Sequence, residues 1–149
     1  ARTGMLLGLS RRRGGEGYGG FEHNHRIALT ADAALLARRR ACYCDVYWDG
    51  PLPDGVAGLD LECQSTSHHF GAKSSVSDAD RATALQAMGI EVAQVTFAQI
   101  ADPVTFEVFS EHLARRLGIP RPEKTEAQLR AQADLRRELF VSWEDLPAT

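Results

Sequence analysis

At 149 residues, 44% hydrophobic and 25% charged, the chain has the composition of one globular domain able to bury a core without staples. No apolar run approaches the ~20 residues of a bilayer crossing, and the first residues lack the apolar core and cleavage site of a signal peptide. A net charge of −3 weighs against a protein that coats nucleic acid by electrostatics alone, and three cysteines do not make a disulfide framework, which fits a reducing cytoplasm.

Residues 10–20 carry five glycines beside Arg11, Arg12 and Arg13, so residues 1–20 read as a flexible Gly/Arg-rich N-terminal segment. No strand leads into it and no helix opens from it, which separates it from a phosphate-cradling fingerprint. Phe21 to Leu29 predicts a strand, with Phe21, His23, His25 and Ile27 on one side; the two histidines read as ordinary strand surface. Thr30 or Asp32 caps a helix through Ala33 and Leu36. Tyr43 to Trp48 is aromatic and β-branched enough for a second strand. Asp49 to Gly55 is a turn, and Val56 to Gln64 a third strand interrupted in its first half by Gly58.

Ser77-Asp78-Ala79-Asp80 resembles a capping box, and the helix it opens continues through Ala82, Leu85 and Met88 until Gly89 stops it. Ile90 to Phe97 reads as a buried strand. Asp102-Pro103 opens a helix whose buried face carries Phe106, Phe109, Leu113 and Leu117, and Gly118-Ile119-Pro120 ends it. Thr125 with Gln128 caps a final helix carrying Leu129, Ala133, Leu135, Leu139 and Phe140. The order β-α-β-β-α-β-α-α predicts an α/β fold, a mixed central β-sheet flanked by helices. The hairpin supplies an antiparallel pair, and the crossover from Gln64 to Ile90 allows a parallel neighbour. The core is expected over 21–118, with 119–149 a C-terminal helix packing on it.

The chemistry concentrates between Asp45 and Gln64. Pairing the second and third strands brings Asp45 to Glu62, and two convergent carboxylates suit Mg²⁺ or Mn²⁺. Phosphodiester hydrolysis needs a polarised phosphate, an activated water and a stabilised leaving group. Asp45 and Glu62 would then hold the metal, with the Cys63 carbonyl a further ligand. Gln64 can orient a water but cannot deprotonate it, so His69 is the candidate base or phosphate contact, with His68 beside it. Asp60 reads as a surface acid, or else as an extra ligand. Cys42, Cys44 and Cys63 are expected on the strand sides opposite the acids, as small buried apolar groups. A zinc site built on them with His68 or His69 is the lesser alternative, because paired Cys-x₂₋₄-Cys spacing is absent. The arginine clusters at 11–13, 38–40, 115–116 and 136–137 read as solvated helix faces.

The segment from about Phe21 to Gly118, roughly two-thirds of the chain, resembles the PD-(D/E)XK, or restriction-endonuclease-like, superfamily, and within it very-short-patch-repair-type endonuclease domains. The resemblance is carried by Phe21-Glu22-His23-Asn24-His25-Arg26-Ile27, Cys44-Asp45-Val46-Tyr47 and Leu61-Glu62-Cys63-Gln64-Ser65 with His69. Asp78-x-x-Arg81, Leu85, Gly89 and Val95-Thr96-Phe97 extend it. It implies a metal-dependent DNA endonuclease domain with Asp45 and Glu62 as ligands, Gln64 at the usual Lys or Asp position, and His69 near the phosphate. Arg81 and His68 become nucleic-acid contacts, and Asp78 a structural or phosphate-side group. The alternative is a catalytically inactive nuclease-fold domain that binds nucleic acid or regulates a defence or toxin–antitoxin system. A start at Ala1 without an initiator Met points to a piece of a longer protein; a homodimer or a missing N-terminal domain is left open as partner, alongside DNA.

Overall fold

The alternating segments form four strands: β1 (Phe21–Ala28), β2 (Ala41–Asp49), β3 (Gly58–Gln64) and β4 (Ile90–Thr96). They hydrogen-bond in the order β1-β2-β3-β4 as one four-stranded mixed open sheet. β1/β2 and β2/β3 are antiparallel, whereas β3/β4 is parallel. A parallel neighbour needs a crossover, and α3 (Ala72–Ala87) supplies it; α2 (Ala31–Ala37) links β1 to β2. The result is an α/β architecture of strands flanked by helices, compatible with a restriction-endonuclease-like fold. The computed structural model describes residues 1–64 and 72–141. No described helix is long and apolar enough to cross a membrane.

By contact clustering the chain forms two units, and residues 20–97 with 116–118 make up the sheet unit. Helix α3 begins at Ala72, so Ser77-Asp78-Ala79-Asp80 lies inside it instead of opening it, while the start of α2 and the end of α3 follow local chemistry. Thr30 Oγ1 accepts the Ala33 N–H at 3.3 Å, satisfying one of the amides left open at the start of α2. Gly89, at φ +78, adopts the left-handed conformation that ends α3 cheaply. The core joins Ile27, Cys42, Cys44 and Tyr47 of the strands to Ala33, Ala37, Ala84 and Leu85 of the helices. Burying a leucine such as Leu85 contributes roughly 1.5–3 kcal/mol.

One irregularity positions the site. The β1/β2 register runs from Phe21↔Trp48 to Ala28↔Ala41, with Asn24 and Asp45 the positions left unpaired between His23↔Val46 and His25↔Cys44. Asn24 has φ 48, a left-handed conformation that asparagine tolerates better than most residues. Cys44 and Tyr47 share the core cluster although they lie three residues apart, so the strand's alternation slips by one around Asp45. Val46, Tyr47 and Trp48 are consequently buried in succession.

The helical unit comprises residues 1–19, 98–115 and 119–149. Its helices are α1 (Arg2–Gly8), α4 (Phe97–Ala101), α5 (Pro103–Leu117) and α6 (Glu126–Leu139), of which α4 and α5 begin or end just outside its bounds. Asp102 caps α5 by accepting the Thr105 N–H at 2.9 Å. Thr125 and Gln128 form the full capping box of α6. Instead of a connector without structure, residues 1–20 contain α1, a 3₁₀ turn at Arg11–Arg13, and the buried Leu6, Leu7, Glu16 and Tyr18. Gly14 is needed there for close approach, since a Cβ would sit 2.4 Å from the Ala131 carbonyl oxygen.

Candidate functional site

The β2/β3 ladder pairs Val46↔Leu61 and Tyr47↔Asp60, and continuing it one step sets Asp45 across from Glu62. The Asp45 carboxylate is exposed and accepts the Cys63 N–H at 3.0 Å, so it is tethered to the β3 backbone beside Glu62. Asp60 and Glu62, two residues apart, project from the same side of β3. Asp60 is completely buried, and the Glu62 side chain retains 19% exposure. The expectation of Asp60 as a surface acid fails because its flanking Leu59 and Leu61 belong to the core and because an arginine closes over it.

That arginine is Arg81, from α3. Its Nη2 donates to Asp60 Oδ2 at 2.9 Å, to the Tyr43 carbonyl at 2.7 Å, and to Glu62 Oε1. Cys44 Sγ lies 3.8 Å from the same nitrogen. The cysteines therefore do not all avoid the acids: the slip at Asp45 turns Cys44 toward Asp60 and Glu62. Burial pushes the Cys44 thiol well above its ordinary range, and Asp60 adds to the effect. Cys42 rises for the same first reason.

Two carboxylates and one guanidinium leave a surplus of negative charge in a poorly solvated place. Glu62 carries the consequence, its pKa pushed up to about 8 by burial and then by Asp60, against the opposing pull of Arg81. Asp45 adds a smaller push in the same direction. Burial alone would lower Arg81, but Asp60 and Glu62 outweigh it and raise it. At neutral pH Glu62 thus holds a proton, and Arg81 stays charged beside it.

Glu62, Gln64, Asp78, Arg81, Val92 and Gln94 line a cavity of about 140 Å³. Of the residues expected from sequence, Glu62, Gln64, Arg81 and Asp78 come together here, and Asp45 sits across the ladder on Cys63. His68 and His69 lie outside the described residues. His23 and His25 belong to β1; His25 is more than strand surface, its ring stacked on Tyr47 at 4.7 Å and its Nδ1 2.5 Å from Glu22 Oε2. Sequence reasoning missed Asp60 as a buried partner. The available signal was Asp60-x-Glu62 between apolar residues, a spacing that puts both acids on one side of a strand.

Among the described residues, one group of possible metal-binding side chains emerges, Cys44, Asp60 and Glu62, with ligand atoms within 4.8 Å of one another. The carboxylate oxygens suit a hard divalent cation. The Cys44 thiol, held protonated by burial, does not. Cys42 and Cys63 are not part of that group, which leaves the zinc alternative without a ligand set among the described residues. Comparison with protein-family models, curated proteins and solved structures finds no match to this chain.

Proposed function

We propose that the sheet unit is a metal-dependent DNA endonuclease domain that hydrolyses phosphodiester bonds at the cavity between β3 and α3. The observation that carries this reading is the gathering of Glu62, Gln64 and Arg81 around one polar cavity, with the Asp45 carboxylate tethered next to it. Asp45 and Glu62 would hold Mg²⁺ or Mn²⁺ through oxygen, while Asp60 keeps Arg81 in place. Such a cation, when bound, polarises a phosphate and makes a bound water more acidic. Gln64 contributes an amide that orients water. Arg81 contributes the positive charge that a lysine at residue 64 would bring, and its guanidinium matches phosphate oxygens in geometry. His69 enters as base or phosphate contact on its place in the sequence, with His68 as a further contact.

Supercoiled plasmid incubated with Mg²⁺ or Mn²⁺ tests the reading. Nicking that disappears in Glu62→Ala and Asp45→Ala is expected. A second reading is favoured by Arg81, which already bonds Glu62, and by Gln64, which cannot accept a proton at neutral pH. It is a catalytically inactive nuclease-fold domain that binds nucleic acid without cutting it or regulates a defence or toxin–antitoxin system. Plasmid that is retarded on a gel yet stays intact with both metals would select it.

A further inference from the structure

The helical unit contains a buried cation whose needs the described residues do not meet. Arg136, on α6, is only 8% exposed. Its guanidinium carbon lies 5.2 Å from the ring centres of both Phe106 and Phe140, and its Nη2 donates to the Ile100 carbonyl. Nη1 is buried with no hydrogen-bond partner. No carboxylate among the described residues forms an ion pair with it. Asp102 is the acid near enough to act on it electrostatically, but that carboxylate is engaged by the Thr105 N–H and hydroxyl. Burial accordingly pulls the Arg136 pKa down. A buried guanidinium with an open donor and no counterion is costly. Buried polar groups left unpaired in this way are uncommon, and each calls for a physical explanation, a bound group among them.

The same side chain lines a groove of about 690 Å³, within the range of small-molecule sites. Ala101, Pro103, Leu129, Ala133, Phe140 and Val141 make its wall predominantly apolar. Phe140 both stacks on the guanidinium and borders the groove, which sets the Arg136 side chain at the groove wall. Arg137 also lines the groove, its guanidinium paired with Asp134. An apolar wall beside a buried guanidinium selects a molecule of matching polarity.

We propose that this groove is a binding site for a small monocarboxylate with an apolar chain, its carboxylate on Arg136 and its chain along Leu129 and Ala133. A carboxylate supplies the planar, two-oxygen acceptor that a guanidinium fork prefers. The site is independent of the chemistry proposed for the sheet unit and stands or falls separately.

Isothermal titration of the intact protein with decanoate and with decan-1-ol, below their aggregation limits, tests it. Decanoate is expected to bind saturably and about tenfold or more tighter than the alcohol of equal chain length. Arg136→Gln is expected to erase that preference while leaving the alcohol's affinity unchanged. Ala133→Phe, which narrows the groove without touching the cation, is expected to weaken both. Absence of saturable decanoate binding, equal binding of acid and alcohol, or a preference that survives Arg136→Gln would each overturn the proposal.

Discussion

Glu16 in the helical unit and Asp60 in the sheet unit are both fully buried carboxylates closed over by arginine, yet the charge around them is balanced differently. Glu16 receives Arg121 Nη2 at 3.2 Å and Lys124 Nζ at 2.6 Å. Arg121 also bonds Glu107 at 2.6 Å and the Tyr18 hydroxyl at 3.0 Å. Two acids therefore meet two cations. The Tyr18 hydroxyl, pushed up to about 12 by burial and then by Glu16, stays protonated. Asp60 and Glu62 share the single cation Arg81, and the deficit appears as the raised Glu62. A balanced buried network leaves nothing for a ligand to add. An unbalanced one must hold a proton or accept a positive group, which is a property of sites rather than of scaffolds.

The largest effect is expected from Glu16→Ala, which strands Arg121 and Lys124 without their buried counterion. It should cost about 3–5 kcal/mol in urea unfolding, by nearly the same amount at pH 5 and pH 8, because Arg121, raised by Glu107 and Glu16, stays charged throughout. Arg81→Ala should separate the two clusters. At pH 8 it should cost about 3 kcal/mol or more, and clearly less at pH 5, where Glu62 holds its proton; an equal loss at both pH values would remove the distinction between them.

Glu62→Gln sharpens the same contrast more gently. The folded Glu62 titrates at about 8, against an ordinary value of 4.5, so between these limits the folded state binds more protons than the unfolded one. Its contribution to stability is complete below the ordinary value and is lost as pH rises through the raised one. Melting temperatures from pH 5 to 8.5 should therefore decline less in Glu62→Gln than in the parent chain, and parallel curves would assign the decline to another group. The smallest effect belongs to the helical unit. Thr125→Ala removes the capping box of α6 and should lower stability by about 1 kcal/mol, read by thermal circular dichroism, without altering the pH dependence.

Most of the fold was legible because its signals are local. Thr30, Asp102 and Thr125 with Gln128 cap the helices they were expected to cap, since a side-chain oxygen reaches an amide two or three residues on whatever the rest of the chain does. The strands between Phe21 and Thr96, the antiparallel β2/β3 hairpin and the parallel β3/β4 pair follow from alternation and from connection length, whereas the pairing of β1 with β2 was not read from sequence. Helix α1 was hidden because glycines dominate residues 14–20, and Gly14 proved to be spacing for close packing rather than freedom. At the site, the approach of Glu62 to Asp45 could be anticipated from the hairpin, and Arg81 from its place after Asp78. The slip at Asp45 could not, because it depends on Asn24 across the ladder.

The amino-acid sequence by itself determined the four strands, the caps of α2, α5 and α6, and which residues carry the charges. Only the tertiary structure decided how those charges are matched. Arg81 reaches Asp60 and Glu62 because α3 returns over the sheet, and Arg121 and Lys124 reach Glu16 across more than a hundred residues of chain. Charge balance in a buried cluster is set by groups distant in sequence and near in space, so no local pattern encodes it.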